Sequence, residues 1–404
     1  MQIRPILAAL RHHRLATLLI ALEIALACAV LCNACFLIAN RIGNMRIVSG
    51  TDETSLAVMV VTGYEDAQGP DVNARIIDGL HGIAGVQSVS VINTVPFGQQ
   101  VDSAGINKDR AGQIQGGQID FYQGGPGSVQ ALGMKLVEGT WPQAADYLPL
   151  HDYFADDSST VVSKALAEHL WPGADPLGKE FWCDRFHFRV IGVVEHLAIA
   201  QPGSRGTNTA EWSAFVPTMP GRFLNGTYLV RADPKDIPRI VRDAPVVITK
   251  VAPDVVFDHA NSNTVSDMRH NYFERDRAMV GMLLGVILAL MLVTALGIVG
   301  LASFWVQQRR RQIGIRRAVG ATRGDILRYF LAENFLIVTG GILLGIVFAL
   351  ALNLVLVTQY EVPRLPLYYL PVAAVVLWAL GQLAVLAPAL RAAAVPPVVA
   401  TRTV

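Results

Sequence analysis

The distribution of apolar residues along the chain separates it into two kinds of segment. Four long, predominantly apolar runs stand out: residues 15–40, 276–306, 330–357 and 367–390. Each exceeds the roughly 20 residues that cross ~30 Å of hydrocarbon at 1.5 Å per residue, so four membrane helices are expected. Between the first and second runs, residues 41–275 have ordinary globular patterning. There "SLAVMVVTGY" to "VQSVSVINTVPF" reads strand–helix–strand, and residues 227–258 repeat that order with an Asp-Pro helix start. These two units, 41–97 and 217–275, are expected to pair into one membrane-proximal α+β lobe. Residues 98–216, glycine-rich at the start and strand-like later, then form an inserted, smaller α+β lobe. The expected fold class is a four-helix membrane protein with a large extracytoplasmic α+β domain between the first two helices.

Composition supports the division. Of 404 residues, 52% are hydrophobic and 16% charged, with a mean hydropathy of +0.40, outside the usual range for a soluble domain. All six lysines fall in residues 41–275. The net charge of +1 is less informative than its placement. Residues 307–328 carry seven arginines against one aspartate, and Arg4, Arg11 and Arg14 precede the first run. Short arginine-rich segments stay in the cytoplasm. This predicts cytoplasmic residues 1–14, 307–329 and 391–404, an external loop 358–366, and residues 41–275 outside. A cleaved leader ending near Cys28 is disfavoured because the apolar run continues to Ala39, past the 7–15 residues of a signal core.

Catalytic and metal signatures are weak. Gly173, Gly178 and Lys179 have P-loop spacing, but Glu180 replaces the required hydroxyl and a helix precedes the stretch, so a turn is expected. His151, Asp152, Asp156 and Asp157 match no standard ligand spacing and read as a solvated loop. Cys28, Cys32 and Cys35 share a helix face in lipid and read as packing residues; Cys183 stands alone in the outer domain. Asn225-Gly226-Thr227 fits a glycosylation acceptor or a plain turn. No nucleophile elbow, no HExxH and no paired carboxylates at convincing spacing occur, so no catalysis, cofactor or metal is expected in this chain. Gly341 and Gly345 have small-xxx-small spacing, for packing within the chain or against a second copy. Glu23, deep in the first run, must face protein or water.

The segment "RRRQIGIRRAVGATRGDILRYFLAENFLI" is the most informative. Arg309–Arg311 can meet anionic lipid headgroups; Ile313, Ile315, Ala318 and Val319 form an apolar strip, after which "GAT" turns the chain into the third membrane helix. This segment closely resembles the loop of the MacB and FtsX type of ABC-transporter permease. The likeness extends to "ALGMKLVEGTWP", "VSKALAEHLWPGADPLGKEF", "FRVIGVV" and "LRAAAVPPVVATR". The resemblance implies that Gly314, Ile315, Arg316, Arg317, Ala318, Gly320, Ala321, Thr322 and Asp325 form a surface docking in a cytoplasmic ABC ATPase, which binds ATP and Mg. Full-length MacB carries that ATPase in the same chain; with about 14 residues before the first helix, the ATPase is expected on a separate protein. It further implies a second permease, identical or paralogous, a periplasmic adaptor and, in a Gram-negative cell, an outer-membrane channel; nothing implies a nucleic-acid partner. The expected function is export of a drug, peptide or other periplasmic cargo across the bacterial inner membrane. The alternatives are an FtsX-like relay to a cell-wall hydrolase or sensor, and lipoprotein release.

Overall fold

The computed structural model describes residues 14–150, 152–204, 206–360 and 364–395. It divides into a unit spanning Gly43–Arg275 and a second unit made of the chain up to Ile42 and from Asp276 onward.

Helix α1 (Arg14–Met45) leads into the first unit. There β1 (Leu56–Thr62), α2 (Gly69–His81) and β2 (Val86–Val91) are followed by β3 (Ser103–Asn107), β4 (Gln115–Gly124), α3 (Ser128–Leu132), β5 (Leu136–Gly139), β6 (Asp157–Ser163), α4 (Lys164–Leu170), β7 (Glu180–Cys183), β8 (Phe186–Val194) and β9 (Ser213–Pro217). The chain then returns through β10 (Thr227–Ala232), α5 (Ile237–Val251), β11 (Val256–Phe257), β12 (Asn263–Thr264) and α6 (Val265–Tyr272). Strands β1, β2, β10, β11 and β12 make one sheet in which β10 lies antiparallel between β1 and β2. Helices α2 and α5 cover one face, burying Ile76, Leu80, Ile240 and Ile248 against Met59 and Tyr228. Tyr228 donates its hydroxyl to Asn73 Oδ1 at 2.9 Å, and the Asn73 amide donates to Leu224 O at 3.1 Å, so both buried polar groups are satisfied. The opposite face, with Leu56, Val58 and Leu229, packs on Tyr122, Leu132 and Phe215.

The inserted segment differs from the smaller α+β lobe expected. It holds the larger sheet, seven strands in the order β5-β8-β6-β9-β4-β3-β7, and β7 also pairs with β8. Six strands therefore close on themselves, with β5 appended to β8. Closure removes free edges, and the interior is filled by phenylalanines: Phe121, Phe181 and Phe188 are fully buried, with Phe181 and Phe188 stacked at 5.1 Å and Phe154 against Phe121 at 4.7 Å.

The second unit contains α1 with α7 (Glu274–Gln308), α8 (Arg310–Ala318), α9 (Arg323–Tyr360) and α10 (Tyr369–Ala393). Four of these helices are long and apolar enough to cross a membrane. All but α10 extend beyond their apolar runs at both ends, because polar turns continue the backbone ladder where hydropathy has already fallen. Leu18, Leu22 and Leu26 on α1 are exposed on one stripe, as lipid-facing side chains should be. The buried stripe carries Ile24, Ala27, Cys28, Leu31 and Cys32.

Candidate coupling hairpin and the helix bundle behind it

Segment 307–329, anticipated as a loop holding a short helix, is mostly helical. Helix α7 stops at Gln308, α8 begins after Arg309, and α9 is already formed by Arg323. The α8 end is a glycine C-cap. Ala321 N donates to Arg316 O at 3.0 Å and Gly320 N donates to Arg317 O at 3.2 Å, with Gly320 at φ +106°. That reciprocal pair satisfies the last carbonyls of α8 and requires a residue that tolerates positive φ. Helix α9 starts immediately afterwards with Thr322 and Asp325 capping it. The Thr322 hydroxyl donates to Asp325 Oδ2 at 2.6 Å, Thr322 N donates to the same oxygen at 3.0 Å, and Asp325 N donates back to Thr322 Oγ1 at 3.2 Å.

The residues expected to dock an ATPase fall into two groups. Gly314 is buried, and Ile313, one end of the apolar strip, sits in a small core with Val306, Ile326, Phe330, Ala389 and Ala392. Arg317 donates to Ala393 O at 3.2 Å and Val395 O at 2.8 Å, capping the end of α10. Asp325 is spent on the α9 cap. These three hold the hairpin in place. The remaining residues are presented outward: Ile315 is 48% exposed and Val319 84% exposed, with Arg316, Ala318, Gly320 and Thr322 exposed and Ala321 half-buried. The Arg316 guanidinium lies 5.1 Å from the Tyr329 ring. The hairpin's outward face is thus an apolar knob ringed by arginines.

Arg309, read from the sequence as a lipid-headgroup contact with Arg310 and Arg311, is turned inward. Its Nη1 donates to both oxygens of Glu333 at 3.0 Å, its guanidinium lies 5.7 Å from the Trp305 ring, and Glu333 is 1% exposed. Arg310 and Arg311 remain exposed. Sequence reasoning missed this buried pair. The available signal was Glu333 itself, a carboxylate in the apolar stretch "LAENFL", which demands a counter-charge.

Gly341 and Gly345 of α9 face α1. A Cβ on Gly341 would stand 2.8 Å from Ile24 Cβ, and one on Gly345 would stand 2.5 Å from Cys28 Cβ. The small-xxx-small pattern therefore serves packing within the chain, and Cys28 is part of that contact. Glu23 faces α7, where Gly297 leaves space for it: a Cβ there would meet Glu23 Oε2 at 2.7 Å. Its Oε1 is buried with no hydrogen-bond partner among the described residues.

In the first unit, residues 171–179 form a turn running from helix α4 to strand β7, with Gly173 and Gly178 at positive φ. That order is the reverse of the strand-to-helix path of a phosphate loop. His151 lies outside the described residues; Asp152 pairs with Arg185 and Asp157 with His187, both at 2.7 Å. No three potential ligands cluster among the described residues. The Asn225 side chain accepts from the Tyr64 hydroxyl at 2.7 Å and serves the turn.

Two family models match the chain: the MacB-like periplasmic core domain over residues 33–245 and the FtsX-like permease C-terminal domain over residues 284–397. The chain belongs to the MacB/FtsX type of ABC-transporter permease: a multi-pass inner-membrane protein with a large extracytoplasmic α+β domain, in a family of permease-type, generally non-catalytic subunits. Among its relatives, the macrolide export ATP-binding/permease protein MacB of Bartonella henselae is 29% identical over 55% of this chain, and that of Marinobacter nauticus is 28% identical over 65%. The pyoverdine export ATP-binding/permease protein PvdT of Pseudomonas aeruginosa is 25% identical over 74%. These alignments span 33%, 40% and 43% of the relatives' own lengths. Among solved structures, the extracellular domain of the transporter YknZ from Gram-positive bacteria aligns with 50% of this chain and all of its own (TM-score 0.34, 15% identity). The periplasmic region of MacB from Actinobacillus actinomycetemcomitans aligns with 56% of this chain and 95% of its own (TM-score 0.35, 13% identity).

Proposed function

We propose that this chain is the membrane permease of an ABC-type export complex, and that the α8–α9 hairpin receives the stroke of a cytoplasmic ATPase. In this reading the hairpin and both termini face the cytoplasm, as the arginine bias of residues 307–328 favours. ATP and Mg are held by an ABC ATPase domain outside these 404 residues. An ATPase dimer engages two hairpins, so the working permease is a dimer of this chain or of this chain with a paralogue. A periplasmic adaptor and, in a Gram-negative cell, an outer-membrane channel complete the route for a drug, peptide or other periplasmic cargo. The relatives' names, export ATP-binding/permease proteins, support the export reading.

The observation that carries the proposal is Val319. It is 84% exposed and stands one turn beyond Ile315, itself 48% exposed; on a glycine-capped turn braced by Arg317 and Asp325 the two form an outward apolar patch rimmed by arginines, the kind of surface that marks an interaction site. The test is co-purification of the full chain with its candidate ATPase, followed by ATP hydrolysis, for Val319→Glu and Gly320→Leu. Val319 touches little within the chain, so Val319→Glu should fold normally. It should still lose association and permease-dependent hydrolysis by at least about tenfold, the scale of an interface anchor. Parental association and hydrolysis in both variants would refute the assignment.

A further inference from the structure

The Gly43–Arg275 unit carries a cleft of about 230 Å³ that the coupling function does not use. It lies over one end of β1, between the 93–100 loop and the 258–272 segment. Its interior is aliphatic, with Val58, Val60, Val95 and Met268, and its rim is made of carboxamides and hydroxyls, among them Gln99, Gln100, Asn271 and Thr62. The one charged side chain, Asp258, is already occupied: it accepts from the Asn261 amide at 2.7 Å and from the backbone N–H groups of Ala260 and Asn261. Its carboxyl is accordingly held below the usual carboxylate range by the Asn261 amide. By contrast, the side-chain amides of Gln99, Gln100 and Asn271 bond to no other group among the described residues.

The cleft is preformed. Phe97 is a non-glycine residue at φ +67°, a sparsely populated conformation that persists only where surroundings impose it. They do so here: Phe97 N donates to Ala200 O at 2.8 Å, Thr94 Oγ1 donates to Gln100 O at 2.7 Å, and the Phe97 ring packs on Tyr272, Phe273 and the Arg269 guanidinium. The strained loop is thereby fastened to α6, whose Met268, Asn271 and Tyr272 face the cleft. Only Phe273 separates α6 from α7 in the chain.

We propose that this cleft binds a short, uncharged peptide segment carrying an aliphatic side chain. The aliphatic interior takes that side chain. The free carboxamides each offer a donor and an acceptor, which match a peptide group pairwise. Stacking of a sugar ring would rest on Tyr272 alone, since Phe97 is 2% exposed with Arg269 over its ring. An anionic ligand meets no counter-charge in the lining, whose one charged side chain is the Asp258 carboxylate. The volume is below the roughly 300–1,000 Å³ of drug-sized sites, which fits two or three residues of a chain rather than a large compact molecule.

The assay uses the full chain in nanodiscs without nucleotide or ATPase, so its outcome is separable from the coupling proposal. The probe is N-acetyl-glycyl-photoleucyl-glycine amide, photolysed and mapped by peptide mass spectrometry. Labelling should fall on residues 58–62, 93–100 and 258–272. It should drop at least tenfold with Met268→Trp, which fills the interior, and at least threefold with Asn271→Ala, an exposed position that leaves folding intact. Unlabelled N-acetyl-glycyl-leucyl-glycine amide should compete at least tenfold better than its aspartyl counterpart. Labelling elsewhere, or undiminished in Asn271→Ala, overturns the site. Competition by maltotriose but not by the leucyl peptide overturns the ligand class.

Discussion

Removing either partner of the Arg309–Glu333 pair should cripple the helix bundle, and removing both should restore it. At 3.0 Å and an effective dielectric of about 20, two unit charges attract by about 5 kcal/mol. That attraction offsets a desolvation penalty of several kcal/mol per ion, so the pair contributes little net stability. Either survivor keeps its penalty and loses this part of the offset, at up to about 3–5 kcal/mol. The two losses are unequal. Arg309, with its side chain 14% exposed, can swing its head toward the interface, whereas Glu333 at 1% has nowhere to go. Arg309→Met should therefore cost more than Glu333→Leu. The double variant should lie within about 1 kcal/mol of the parent, since apolar replacement of a buried pair is neutral or better. Unfolding of the purified chain in mixed micelles, followed by tryptophan fluorescence, completes the double-mutant cycle. Single losses below about 1 kcal/mol, or losses that simply add in the double variant, would refute the reasoning.

Gly345→Ala should lower the thermal stability of the membrane unit by about 1–3 kcal/mol, because its new methyl would meet Cys28 Cβ at 2.5 Å and the Ala25 carbonyl at 2.8 Å; Gly340→Ala, with nothing within 4 Å, is the control, and equal melting of the two would sink the packing assignment. Glu23→Met should stabilise the isolated chain, since Oε1 has no partner among the described residues and a buried unmatched polar atom costs about 1–3 kcal/mol; a drop in melting temperature would mean the carboxylate is satisfied. Burial pushes the Asp102 carboxyl up, opposed by the Asn93 amide and aided by Asp120. A raised folded pKa means that stability is greatest at low pH and declines as pH climbs from the unfolded value of about 3.9 through the folded one. Asp102→Asn should flatten that slope and raise the outer domain's melting temperature at pH 7, and an unchanged profile would contradict it.

The membrane helices and the two αβ units flanking the insertion were legible because hydropathy and residue period are local properties of the chain. Their ends were not, since the polar turns that carry α1 to Met45 and start α9 at Arg323 are held by backbone bonds that hydropathy does not register. In the hairpin, the residue types were readable but their division of labour was not. Arg316 and Arg317 are neighbours in sequence, yet α8 turns one onto Tyr329 and the other onto the α10 carbonyls. Glu333 was visible as a buried charge, but its partner sits 24 residues away, beyond any helical spacing rule. The closed sheet of the insertion and the cleft over β1 depend on pairings between distant segments, which composition cannot order.

The pattern of anchors explains how a push on one exposed knob reaches several helices. Arg317 ties α8 to the end of α10, and Ile313 seats α8 in a core shared by α7, α9 and α10. Arg309, in the one-residue break between α7 and α8, is clamped to Glu333 two turns further along α9 than Ile326. A loose loop would dissipate displacement in its own dihedral angles. This hairpin has few free ones: Gly320 is fixed by the C-cap and Thr322 by the box with Asp325. Packed interiors resist small distortions and respond by switching arrangement. Under the proposed coupling, force applied at Val319 would be delivered to the hairpin-side ends of α7, α9 and α10 together, and cutting the Arg317 anchor should uncouple ATP hydrolysis from helix movement while leaving the proposed docking contact at Val319 in place.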